Sequence, residues 1–178
     1  MPFYRLHRRT YAAYWDLFTP KEWDEKQVEY AAEGERHRKL ELATVGSVQP
    51  GEMQPERDYN MQGEKTWPAR VLGRPCRRGK SWFSFDMPVE PARPMALIAT
   101  YYREEWRKRT FKVLIDGEEL TEQVVQKGGP PRFFDVKYRI PKALVGKKKT
   151  VTVRFEALEG SEIAAVFGLR MIRADAER

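Results

Sequence analysis

The sequence predicts an all-β protein, an antiparallel β-sandwich of the jelly-roll type, with an N-terminal strand and one peripheral helix. Three observations predict it: apolar residues alternate with a period of two after Ser81, the apolar segments are short and evenly spaced, and no helical pattern separates them. The candidate strands are residues 82–87, 95–102, 110–115, 119–125, 133–140, 150–157 and 163–172.

Local patterns support two of these strand assignments. Asp116-Gly117 lies between the third and fourth candidates and predicts a hairpin, because a type I′ turn needs a positive φ at both central residues. In residues 150–155, Val151, Val153 and Phe155 alternate with polar residues, which predicts one face towards the core and one towards solvent.

The chain of 178 residues is expected to form one domain with three parts. Residues 1–18 predict an aromatic strand or arm, residues 19–44 a helix, and residues 45–178 the sandwich. The helix start is indicated by Thr19-Pro20-Lys21-Glu22, which combines an N-cap, a proline in the first turn and a capping box, whereas Gly34 predicts a weak point. Because glycine and proline punctuate residues 45–80, we expect a long polar loop there.

Composition excludes several classes of protein. The hydrophobic fraction of 41% and the charged fraction of 33% are too polar for a membrane protein, and the N-terminus lacks the apolar run of a signal peptide. The sequence thus predicts a soluble chain without a signal peptide, and its compartment, secreted or cytoplasmic, stays open. With Cys76, His7 and His37 as the only cysteine and histidines, we expect no disulfide, metal or cofactor.

Aromatic residues predicted to lie near strand ends suggest a sugar-binding surface, since indole and phenol faces pack on sugar C–H groups while acid and amide side chains pair with hydroxyls. Burial in the core is the competing interpretation, above all for Trp82. The candidates are Trp106, Trp67, Trp82, Tyr101 and Tyr102, with Asp58 and Asn60.

Two alternative functions stay open. A net charge of +7 and the basic residues 103–109, beside Tyr101, Tyr102 and Trp106, would suit a nucleic-acid-binding module, although no recognised nucleic-acid motif is present. A free-standing glycosidase would instead need a pair of loop carboxylates such as Glu56 and Asp58. No residue is assigned a catalytic role.

Several segments resemble one family in order along nearly the whole chain. Residues 51–64 (GEMQPERDYNMQGE) are similar to a G-E-x-Q-P-E-x-D-H-N-x-x-G-E stretch of the β-L-arabinofuranosidase-like proteins, glycoside hydrolase family 127. Further matches are residues 3–7, 9–11, 14–15, 82–86, 109–111, 116–117, 133–136, 151–155 and 166–170. Two positions depart from the family pattern: Tyr59 replaces a histidine, and Arg8 stands where an aspartate is common.

The resemblance implies a C-terminal β-sandwich domain, galactose-binding-like in fold, that is non-catalytic. The family's zinc and cysteine nucleophile belong to an (α/α)₆ barrel, so neither role is carried over to Cys76. The implied partners are that catalytic barrel and a plant-type oligosaccharide, with self-association expected if the docking surface is exposed. The candidate interdomain residues are Phe3, Tyr4, Arg5, His7, Tyr11 and Trp15.

Overall fold

A computed structural model describes residues 3–6, 9–12, 16–103, 107–126, 128–130 and 132–174. The chain divides into two compact units, Met1–Arg38 and Lys39–Arg178. In the first unit, strands β1 (Phe3–Leu6) and β2 (Arg9–Ala12) form an antiparallel hairpin. Helix α1 (Pro20–Ala43) follows, and its last residues belong to the second unit.

The start of α1 is the predicted capping box. The Thr19 backbone N–H donates to Glu22 Oε2 at 2.8 Å, and the Glu22 N–H donates to Thr19 Oγ1 at 3.3 Å. The helix continues without a break through Gly34, the predicted weak point.

The second unit is a β-sandwich, so the predicted fold class is confirmed. A six-stranded sheet has the order β11-β5-β10-β7-β8, with β4 also paired to β5, and a four-stranded sheet has the order β3-β12-β6-β9. All strand pairs described are antiparallel. The elements are β3 (Thr44–Val48), α2 (Met53–Asp58), β4 (Gln62–Val71), β5 (Arg74–Pro88), β6 (Met95–Tyr102), β7 (Arg109–Ile115), β8 (Glu118–Val125), β9 (Phe133–Ile140), α3 (Lys142–Val145), β10 (Thr150–Ala157), β11 (Ile163–Val166) and β12 (Gly168–Arg173).

Strands β6, β9 and β10 have the predicted bounds, and the turn before β8 has the predicted geometry, with φ of 51° at Asp116 and 87° at Gly117. One predicted strand divides in two. Residues 163–172 form β11 in one sheet and β12 in the other, and Phe167 lies at the crossing, where its N–H donates to the Thr100 carbonyl at 2.9 Å.

The predicted polar loop over residues 45–80 is wrong, because this segment contains β3, α2, β4 and the first half of β5. One of the glycines marks a close approach of two backbones rather than a loop. At Gly51, where φ is 88°, a Cβ would overlap the Cys76 carbonyl oxygen. Pro68 lies on β4, at a sheet edge, where a missing N–H is tolerated.

The core lies between the two sheets. Val151, Val153 and Phe155 of β10 are all buried, as their alternation predicts. They pack in one cluster with inward residues of β5, β6 and β12, among them Phe83, Phe85, Met87, Leu97, Tyr101 and Met171.

The last turn of α1 is fastened to the four-stranded sheet within the second unit. Ala43 is buried in a small cluster with Ala96 and Ile172. The Arg173 side chain donates from Nη1 to the Leu42 carbonyl at 2.7 Å, which satisfies one of the free carbonyls at the helix end, and from Nε to Glu90 Oε1 at 2.8 Å.

The contact of Arg173 with Glu90 predicts a free energy of unfolding that depends on pH. Hydrogen bonds from Arg173 and Arg93 lower the pKa of Glu90 from 4.5 to about 2. A lowered folded-state pKa stabilises the fold above the unfolded value, and that contribution is lost as the pH falls from about 4.5 towards 2. We therefore expect Glu90→Gln to be less stable than the wild type at neutral pH, with the difference shrinking through this window.

Urea unfolding of both proteins across that pH range measures the effect. Glu159→Gln is the control, since Glu159 is exposed and makes no ion pair with the part of the chain that the structure describes. A stability difference between wild type and Glu90→Gln that is constant down to pH 2 would contradict the role of this contact.

Candidate functional site

The outer face of the four-stranded sheet carries an open polar groove, which we call the sheet groove. It comprises two adjoining cavities of about 290 and 320 Å³, and Arg74, Thr100 and Asp135 line both. These volumes are near the low end of the range for ligand pockets, about 300–1,000 Å³. The polar side chains in the groove are Ser47, Gln49, Arg74, Thr100, Asp135 and Arg170.

Strand alternation places these side chains on the outer face. Strand β6 buries Leu97, Ala99 and Tyr101, so Thr100 points to the opposite side. The register sets Thr100 beside Gly168 of β12 and Asp135 of β9. Gly168 keeps the floor open, since a Cβ there would meet Thr100 Oγ1 at 3.4 Å.

Hydrogen bonds fix the polar groups of the groove. Thr100 Oγ1 donates to Asp135 Oδ1 at 2.6 Å and orients that carboxylate. Arg170 donates to Glu41 Oε1 at 2.7 Å and to Thr44 Oγ1 at 2.9 Å, so its charge is already paired. Gln49 donates to the Phe167 carbonyl at 2.6 Å, which holds the wall of the groove to the β11–β12 crossing.

Arg74 is held over an aromatic cluster at the end of the groove. Its Cζ lies 4.1 Å from the ring centroid of Phe133 and 5.9 Å from that of Phe167. Phe133 in turn packs on Tyr102 and Phe167, each at a centroid distance of 4.9 Å. The guanidinium is exposed on one side and supported by the rings on the other, so its orientation is restricted.

Two of the aromatic residues predicted to bind sugar belong to the core instead. Tyr101 is fully buried, its hydroxyl lies 2.9 Å from that of Tyr138, and burial raises its pKa well above the ordinary value. Tyr102 is 8% exposed and packs between Phe133 and Phe167. Both predictions are therefore wrong, and the nucleic-acid alternative loses two of its three stacking residues. The third, Trp106, lies outside the described residues.

The other sugar-binding candidates do not gather at one place. Trp82 and Asn60 both lie at the outer face of the six-stranded sheet, where Arg154 Cζ is 4.1 Å from the indole of Trp82 and Asn60 Nδ2 donates to Asp86 Oδ2 at 2.8 Å.

Trp67 lies on β4, opposite Arg78, and is 37% exposed. Asp58 is exposed at the end of α2 and accepts a hydrogen bond from Gln54 at 2.6 Å. None of these four residues lines the sheet groove.

The interdomain candidates fall in the first unit. Phe3, Tyr4 and Arg5 lie on β1 and Tyr11 on β2. His7 and Trp15 lie outside the described residues. Their role in an interface stays a prediction.

Glu56, a candidate carboxylate for the glycosidase alternative, is a structural residue. Arg77 donates from Nε and Nη2 to its two carboxylate oxygens, each at 2.5 Å, and the Gly51 N–H donates to Oε1 at 2.7 Å. Both side chains are buried. Because both carboxylate oxygens are held by one arginine, the geometry argues against Glu56 as a reacting group in the glycosidase alternative.

Sequence reasoning did not identify Arg74, Thr100 or Asp135. The one signal for Thr100 is its place in the alternation of strand 95–102, which puts its side chain on the face away from the core. The juxtaposition with Asp135 and Arg74 depends on the pairing of β6 with β9 and on the hairpin of β4 with β5. Nothing local in the sequence indicates either pairing.

No group of three or more histidine, cysteine or acidic side chains that could hold a metal ion occurs among the described residues. In the same residues, no helix has both the length and the hydrophobicity to cross a membrane.

The β-sandwich is shared with several carbohydrate-binding modules. A family 35 carbohydrate binding module from Clostridium thermocellum superimposes with a TM-score of 0.51 at 12% identity, over 72% of this chain and 99% of that one. The CBM36-1 domain of a multidomain xylanase from the hindgut metagenome of Trinervitermes trinervoides gives 0.50 at 12% identity, over 72% and 97%. The ANXUR1 extracellular domain from Arabidopsis thaliana gives 0.52 at 10% identity, over 71% and 41%. At these identities the likeness shows the fold alone.

The chain belongs to the family of unknown function DUF6805, whose model matches residues 39–172. That match coincides with the second compact unit and leaves β1, β2 and most of α1 outside it. A search of curated proteins found no significant sequence match.

The buried ion pair generates a test of the structural role of Glu56. Glu56→Gln leaves the buried Arg77 guanidinium without its counter-charge, so we expect a loss of about 3–5 kcal/mol in the free energy of unfolding. Urea unfolding followed by tryptophan fluorescence measures it, with Glu52→Gln, an exposed acid at the same helix, as control.

Replacing both partners, as Glu56→Leu with Arg77→Met, should recover much of that loss, because no unpaired charge stays buried. If Glu56→Gln were as stable as the control and instead abolished turnover of an aryl arabinofuranoside, the glycosidase alternative would be revived.

Proposed function

We propose that this protein is a non-catalytic accessory domain that binds carbohydrate and supports the catalytic barrel of a β-L-arabinofuranosidase-like glycoside hydrolase. The observation that carries the carbohydrate-binding part is the sheet groove, where a cation, a carboxylate and a hydroxyl converge at an open cavity. The fold shared with carbohydrate-binding modules supports the same part. The resemblance of residues 51–64 and the other matching segments supports the glycosidase context.

The groove suits a polyhydroxylated ligand on chemical grounds. Sugar hydroxyls donate to carboxylates and accept from guanidinium groups, and the groove offers both in Asp135 and Arg74. Ile98 and Gly168 form an apolar, shallow part of the lining, against which the C–H groups of a sugar ring can pack.

The charges of the groove favour binding over hydrolysis. Glycoside hydrolysis ordinarily needs two carboxyl groups on either side of the scissile bond. Among the described residues that line the groove, Asp135 is the one carboxylate.

The barrel-supporting part of the proposal draws on the first unit. Between Pro20 and Arg38, α1 exposes Trp23, Val28 and Tyr30 at 45%, 71% and 51%. Apolar side chains of this size are costly to leave in water, which is consistent with a partner covering them.

Isothermal titration of the purified chain with neutral arabinose-containing oligosaccharides tests carbohydrate binding. We expect saturable binding that depends weakly on salt. A nucleic-acid binder neutralising six to ten phosphates would lose about a thousandfold or more in affinity between about 50 and 200 mM salt. A single-stranded oligonucleotide is therefore titrated in parallel.

Trp106→Ala and Trp82→Ala serve as comparison variants, because both tryptophans were predicted from the sequence and neither is a described residue of the groove. Binding retained in both variants would agree with a site in the groove. The absence of heat with every neutral and acidic glycan would contradict carbohydrate binding by this domain.

A further inference from the structure

We propose that Arg74 and Asp135 determine the specificity of the sheet groove and select a neutral glycan, by holding neighbouring hydroxyls of one sugar residue between a guanidinium and a carboxylate. This inference rests on the proposed function and deepens it, because it names the class of ligand and the two side chains that choose it.

The two side chains are opposite charges at one cavity that do not neutralise each other directly. Both line each of the two adjoining cavities, and both are exposed. Neither makes an ion pair with any residue that the structure describes. Their hydrogen-bonding capacity is therefore left for a third group lying between them.

Asp135 is prepared to accept hydrogen bonds from a ligand. The Thr100 hydroxyl occupies one acceptor position on Oδ1 and favours one orientation of the carboxylate. An ionised carboxylate has about four acceptor sites, so the remaining ones can receive sugar hydroxyls.

Arg74 is prepared to donate. Its stacking on Phe133 restricts the guanidinium plane, and less conformational entropy is lost when it binds. The backbone beneath it is set by the β4–β5 turn, where Gly73 has a φ of 79° and its carbonyl accepts from Arg70 Nη1 at 3.0 Å.

Charge balance in the groove favours a neutral ligand. Arg170 is compensated by Glu41. Among the described residues that line the groove, this leaves Arg74 and Asp135 as the two charges without an ion-pair partner in that part of the chain, and they have opposite sign. A uronate would be attracted by Arg74, but its carboxylate would be repelled by Asp135. An amino sugar would be attracted by Asp135, but its ammonium group would be repelled by Arg74. A neutral sugar meets neither penalty.

The test compares a neutral arabino-oligosaccharide with an oligogalacturonide of equal length, each titrated into the wild type, Arg74→Gln and Asp135→Asn at low salt. We expect the wild type to prefer the neutral glycan. Each variant should bind the neutral glycan about tenfold more weakly, the effect of losing one charge-assisted hydrogen bond. Asp135→Asn should also shift the preference towards the uronate, because it removes the repelling charge and keeps Arg74.

Matched controls separate a local effect from a change in net charge. Arg57→Gln removes the same charge from an exposed side chain of α2 that does not line the groove. Asp58→Asn removes one negative charge outside the groove, and it also tests Asp58 as a sugar-binding candidate. Gly168→Ala adds a methyl group to the groove floor and is expected to weaken binding as well. Thermal unfolding of every variant checks that the fold is intact.

The outcomes distinguish this inference from the proposed function. If the wild type binds neither glycan, the proposed function itself fails. If the wild type binds the neutral glycan and Arg74→Gln and Asp135→Asn bind it equally well, the proposed function stands and the site is overturned. A wild type that prefers the uronate, or an Asp135→Asn variant with unchanged preference, overturns the assignment of specificity.

Discussion

The buried ion pair between Glu56 and Arg77 is the interaction on which the rest of the second unit depends. It ties the short helix α2 to the first half of β5, and the same carboxylate accepts the N–H of Gly51. Gly51 in turn lies against the backbone of Cys76, at a distance that leaves no space for a side chain. Together these contacts fix the position of the first half of β5. They therefore also fix the position of Arg74, the first residue of β5 in the β4–β5 hairpin.

The groove inherits its shape from this arrangement. Arg74 comes from the hairpin of the six-stranded sheet, whereas Thr100 and Asp135 come from the four-stranded sheet. Because side chains from both sheets line the groove, its geometry depends on a fixed position of one sheet relative to the other. Gln49 contributes to this, because its amide donates to the carbonyls of both Pro75 and Phe167.

Sequence patterns were sufficient for strands whose burial follows a simple alternation, and insufficient where contacts are long-range. Strand β10 was predictable because Val151, Val153 and Phe155 share one face. The segment over residues 45–80 was not, since its glycines and prolines are typical of loops and their true role is set by distant backbone. Tyr102 shows the same limit: alternation turns it away from Tyr101 and the core, yet Phe133 and Phe167 bury it.

The crossing at Phe167 has a consequence for how the molecule responds to stress. Strands β11 and β12 are consecutive in the chain but belong to different sheets, so one short segment is hydrogen-bonded on both sides of the sandwich. Tension applied to one sheet is transmitted to the other through this segment, because β11 and β12 are covalently continuous. The two layers are thus joined by one continuous segment, and separating them along it first requires breaking the hydrogen bonds of β11 to β5 or those of β12 to β3 and β6.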